Sequence, residues 1–95
     1  MATDFASNLQ AHLEAHPEIK RPRLKRVLAA PDSPHRTRVL ARIEAHVAIH
    51  FDDKVTRDAA GVIDWSAIDW PALLAQIVAF IEKILPLILT ILTLL

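Results

Sequence analysis

The last third of the chain leaves few options for a fold. From Ala72 to Leu95 it reads ALLAQIVAFIEKILPLILTILTLL, and 15 of these 24 residues are Leu, Ile, Val or Phe. At about 100° per residue, Ala72, Ala75, Gln76, Ala79, Lys83, Pro86, Thr90 and Thr93 share one sector about 100° wide. The remaining two thirds or so of the circumference is large and apolar, with Glu82 at the edge of the stripe. A surface helix of a soluble domain has the reverse proportions. This helix therefore has to be covered, either by lipid or by protein.

The rest of the chain is short of material to cover it. Large apolar side chains in residues 1–60 are scattered: Phe5, Leu9, Leu13, Ile19, Leu24, Val27, Leu28, Val39, Leu40, Ile43, Val47, Ile49, Phe51 and Val55. The core they promise is thin, and self-association or membrane insertion is the natural remedy for the excess.

Helix punctuation is clear. Asp4 suits the cap of a first helix that runs to about His16 and stops at Pro17. Pro22 suits the first turn of a second helix, about 22–30, closed by Pro31. Ser33-Pro34 starts a third, about 34–52, with Val39, Ile43, Val47 and Phe51 on its apolar face. Asp69-Trp70-Pro71 caps the long helix, leaving proline where no amide donor is needed. A short turn is expected at 65–68. No strand pattern is visible. The expected fold is all-α, with three short N-terminal helices, a linker and one long hydrophobic C-terminal helix that oligomerises. The segments are a basic helical region at 1–53, an acidic linker with a helix-start turn at 54–69, and the hydrophobic helix at 70–95.

A formal net charge of zero conceals an asymmetry. Lys20, Arg21, Arg23, Lys25, Arg26, Arg36, Arg38 and Arg42 face only one acid, Asp32, in the same stretch. Asp52, Asp53, Asp58, Asp64 and Asp69 follow. The basic cluster is a candidate contact for anionic lipid or nucleic acid. No aromatic residue interleaves with it, so base stacking is not indicated.

As a membrane span, Ala72–Leu95 is long enough, at about 36 Å of helix against a hydrocarbon core of about 30 Å. Trp65 and Trp70 would anchor it at one interface. Fifteen favourable residues return very roughly 5–9 kcal/mol, which Glu82, Lys83, Gln76 and Pro86 nearly cancel. A lone helix is thus a marginal inserter, and an oligomer that turns the stripe inward escapes much of the cost. Small residues on the stripe permit close helix approach. Pro86 leaves the carbonyl of Glu82 without its helical donor, so a kink or hydration site is expected near 82–86. Gln76, Lys83 and Thr90 recur every seven residues, a period that suits left-handed bundling in lipid or in protein.

The layout of residues 65–95 resembles that of small single-span holins, phage proteins that assemble into membrane lesions. The resemblance implies a homo-oligomer with the stripe of Ala72, Gln76, Ala79, Lys83, Pro86, Thr90 and Thr93 lining an axis or pore. C-terminal placement equally resembles a tail anchor. Holins commonly end in a charged tail, whereas positions 94 and 95 here are leucine.

Chemistry-bearing motifs are sparse. The chain has no cysteine, no tyrosine and one glycine. Ser33 and His35 form no nucleophile arrangement. His12 and His16 lie four apart, as do His46 and His50 with Asp53 beyond them, a spacing open to metal but more ordinary as surface histidine. Residues 1–16 carry Asp4 and Glu14 and no apolar core, so no N-terminal targeting signal is expected. The expected function is non-enzymatic and cofactor-free. It is a self-associating structural protein, membrane-associated through its C-terminal helix with the N-terminus in the cytoplasm. The alternative is a soluble or virion assembly subunit whose C-terminal helix packs in a multi-chain bundle. A weaker alternative is a nucleic-acid-binding accessory protein using residues 20–42.

Overall fold

Local capping chemistry sets where the helices begin. In the computed structural model, which describes residues 4–94 and side chains to 92, they are α1 (Phe5–Ala15), α2 (Pro22–Ala29), α3 (Pro34–His50) and α4 (Trp70–Leu94). Asp4 holds an extended backbone, and its carboxylate accepts the amide of Ser7 at 3.0 Å. That hydrogen bond holds the Asp4 carboxyl below its ordinary value. Ser33 caps α3 by accepting the amide of Arg36 at 3.1 Å. Asp69 accepts the amide of Ala72 at 3.3 Å at the start of α4. Pro22 and Pro34 stand in the first turns of α2 and α3, where their missing donors cost nothing.

α2 has no side-chain cap at its start. Its far end is held by Arg36 from the first turn of α3. Nε donates to the carbonyl of Val27 at 3.3 Å, and one Nη to that of Leu28 at 3.1 Å. The other Nη reaches Asp32 at 3.2 Å. Arg36 thereby satisfies carbonyls that a helix end leaves open. Arg36→Met, which keeps the stem and removes the donors, is expected to cost about 1–3 kcal/mol, read as a lower urea midpoint.

Residues 52–69 form structured turns rather than a loose tether. A 3-10 turn spans Asp52–Lys54. Asp58 Oδ1 accepts the amides of Ala60 and Val62, at 2.8 and 3.0 Å. Gly61 follows in the left-handed region, at φ 82°, where a side chain would be strained. Among the described residues the one β-type pairing is an isolated antiparallel bridge between Arg57 and Ile63. The acidic segment also contributes to the core, through Trp65 and Ile68.

One hydrophobic cluster joins all four helices. α1 contributes Phe5, Leu9 and Leu13, and α2 contributes Leu24 and Leu28. From α3 come Val39, Leu40, Ile43 and Val47, with Phe51 just beyond it. α4 supplies Trp70, Leu73, Leu74, Ile77, Val78, Ile81, Leu85 and Ile88. On a helical wheel these eight occupy a sector about 140° wide, centred opposite the small-and-polar stripe. Burial of each large side chain stabilises the fold by roughly 1.5–3 kcal/mol, taken as an upper estimate. α1, α2 and α3 thus cover one face of α4 and leave the rest of its circumference outside the core.

Candidate association surface

Helix geometry divides α4 into three longitudinal zones. The first faces the core. The second is the stripe, and it faces outward: Ala72, Ala75, Gln76, Ala79, Lys83 and Thr90 are exposed and Pro86 is half-buried. The side chain of Thr93 lies outside those described. In the folded chain the stripe therefore meets solvent and lines no internal axis.

The third zone flanks the core on one side. Phe80, Ile84, Leu87 and Ile91 fall within about 60° of one another and form an apolar ridge. Phe80 and Ile84 are half-buried, while Leu87 is 65% and Ile91 49% exposed. Ile49, near the end of α3, is 77% exposed. Its neighbour His50 stacks on Phe80, with ring centroids 4.2 Å apart and planes inclined by 13°. The exposed end of α3 and the ridge of α4 meet at this contact. The ridge was hidden in the sequence, because nothing there distinguishes Leu85, which is buried, from Leu87, which is exposed.

The two tryptophans, read from the sequence as interface anchors, lie in the core instead. Trp65 is 1% and Trp70 2% exposed. Their donors are satisfied inside: Trp65 Nε1 donates to Glu44 at 2.8 Å, and Trp70 Nε1 to the carbonyl of Trp65 at 2.6 Å. Phe5 meets the Trp65 ring edge-on at 4.8 Å, and His12 stacks on Trp70 at 4.9 Å. With both indole donors paired, burial carries no polar penalty.

Pro86 sits inside α4, which continues through it to Leu94. Thr90 Oγ1 donates to the carbonyl of Pro86 at 2.8 Å, as threonine does when it bonds back one turn. One turn earlier, Glu82 is half-buried, with Oε2 shut from solvent and without a partner. Pro86→Ala is expected to stabilise the chain by about 1–2 kcal/mol. That is part of the roughly 3 kcal/mol helix-propensity difference, the rest being offset by lost packing of the half-buried ring. A rise in thermal midpoint would register it.

The basic cluster divides in two. Arg36 is consumed by its grip on α2, and Arg21 and Lys25 are half-buried. Lys20, Arg23, Arg26, Arg38 and Arg42 are exposed and form no ion pair among the described residues. The carboxylates are far more engaged. Asp52 pairs with Arg57 at 3.1 Å and Asp53 with Lys54 at 3.8 Å. Asp58, Asp64 and Asp69 bond to turn and cap amides. The formal balance of charge therefore leaves these five exposed cations without an ion pair among the described residues, while the aspartates of the linker are engaged.

The remaining histidines and hydroxyls have local uses. His16 Nδ1 lies 2.9 Å from Glu18, whose carboxyl is held low by its own backbone amide first and by His16 second. Ser33 Oγ is taken by its cap. No group of three or more metal-ligating side chains occurs among the described residues. An open groove of about 280 Å³ runs between α1 and α2, lined by Gln10, Leu13, Glu14, Pro17, Lys25, Leu28 and Ala29. No protein-family model, curated protein or solved structure matches the chain.

Proposed function

We propose that the protein is a non-enzymatic, self-associating structural protein that works at a membrane through α4. The observation behind this is the incomplete cover of that helix. Trp70–Leu92 is long and apolar enough to cross a membrane, with a mean hydropathy of 2.0 over its most apolar stretch, of which 33% is buried by the rest of the chain. Leu87 and Ile91 are left facing solvent on one ridge. An exposed apolar strip of this kind marks an interaction surface. Alone, the helix is a marginal inserter, because Glu82 and Lys83 fall mid-span. A pore lined by the stripe would require α4 to leave α1, α2 and α3 and strip their common core. Association with the bundle intact asks for no such loss. The N-terminal helices would stay on the cytoplasmic side.

A second reading is a soluble or virion-type assembly subunit that buries the ridge against neighbouring copies. It is favoured by the closed core, which satisfies both tryptophans without lipid. Fractionation separates the two. Expressed without detergent, a membrane protein sediments with the membranes. A discrete soluble oligomer would overturn the first reading in favour of the second, and a stable monomer that ignores membranes would remove both.

A further inference from the structure

The outer side of α3 joins the ridge of α4 in a way that points to a specific kind of surface. His35, Arg38, Arg42, His46 and Ile49 share a sector of α3 about 80° wide, and all five are exposed. The single acid of α3, Glu44, turns away to the indole of Trp65. Through the His50–Phe80 stack this cationic line runs into Phe80, Ile84, Leu87 and Ile91. Lys83 is exposed beside that ridge, on the stripe side. The acids that follow α3, Asp52 and Asp53, are matched by Arg57 and Lys54. Glu82 lies about 160° round the helix from Phe80. The face therefore combines free cations with exposed aliphatic side chains and carries no unmatched carboxylate.

We infer that this face docks on an anionic lipid bilayer, with α4 lying along the surface rather than across it. The inference rests on the membrane-association reading above and names the lipid and the face. Aliphatic side chains sink into the boundary between headgroups and acyl chains while arginine and lysine meet the phosphates. Ile49, Leu87 and Ile91 are suited to the first task, and Arg38, Arg42 and Lys83 to the second. Nucleic acid makes use of the cations only, since every phenylalanine and tryptophan is buried or half-buried and none is exposed for bases to stack on. A second copy meeting the same face about a two-fold axis would bring like charges together.

The test uses the full chain and flotation with phosphatidylcholine vesicles, with and without phosphatidylserine. Expected is binding to the anionic vesicles that weakens with salt and is released at alkaline pH. Arg38→Glu combined with Arg42→Glu should lower the partition coefficient about tenfold or more, with helical content unchanged. Leu87→Gln combined with Ile91→Gln should lower it comparably on anionic vesicles. Equal binding to neutral and anionic vesicles would overturn the charge-based docking while leaving membrane association intact. Retention after the alkaline wash would do the same, by showing an inserted helix. Absence from both vesicle types would remove docking and membrane association together. Binding to duplex RNA that depends on Arg38 and Arg42 but ignores Leu87 would replace lipid by nucleic acid.

Discussion

Trp65→Ala is expected to lower the unfolding free energy by about 3–5 kcal/mol. The ring is 1% exposed and packs against the edge of Phe5 at 4.8 Å. Its Nε1 donates to Glu44, a half-buried carboxylate, across 21 positions of sequence. Truncation removes the apolar area and leaves Glu44 with an unmet acceptor as well. Small domains are stable by about 5–15 kcal/mol, so the loss is a large fraction of the total. Trp65→Phe keeps most of the area and gives up the hydrogen bond to charge, at about 1.5–3 kcal/mol. Urea unfolding followed by fluorescence measures both, since Trp70 is the only other tryptophan. A Trp65 that rested at a lipid interface would behave as a surface residue in detergent-free protein. Substitution would then change stability by no more than about 0.5 kcal/mol.

The second large effect sets two leucines of α4 against each other. Leu85 is 0% and Leu87 65% exposed, and helix geometry puts them on opposite sides. Leu85→Ala is expected to cost about 2–5 kcal/mol, because it opens a cavity in the hydrophobic core. Leu87→Ala should fall within about 0.5 kcal/mol. Chemical denaturation of the two variants side by side gives the comparison. Equal effects would mean that α4 is not folded against the other helices as described, as in a lone span with lipid on all sides. A large gap between them places the helix in the bundle and leaves Leu87 free for a partner.

Much of the secondary structure was legible because its signals are short-range. Asp4, Ser33, Asp69 and the prolines at 22, 34 and 71 act on amides within three or four residues. Such bonds depend little on the rest of the chain, and the helix boundaries follow them. The back-bonding of Thr90 is of the same kind. The stripe on α4 was also visible, being a property of one helix and its period.

The candidate surface was less legible. In the sequence Arg36 is one more basic residue of the 20–42 cluster, and its grip on Val27 and Leu28 depends on how two helices meet. The tryptophans were given an interfacial role because amphipathic rings commonly take it. Acceptors supplied by Glu44 and the Trp65 carbonyl pair with the two indole donors and allow both rings to be buried. The ridge of Leu87 and Ile91 was invisible for a related reason. A helix that is apolar around two thirds of its circumference does not announce which part its neighbours will cover.

By itself, then, the sequence determined four helices, their caps, and one long apolar helix with a small-and-polar stripe. Caps and periodicity are set within a few residues, and they survive any tertiary arrangement. Only the tertiary structure decided that α1, α2 and α3 cover the face of α4 opposite that stripe. It alone left Leu87, Ile91 and Ile49 in the open beside unpaired arginines. Burial is a pairwise property of residues far apart in the chain, so which apolar side chains become core and which remain for a partner depends on how the helices pack.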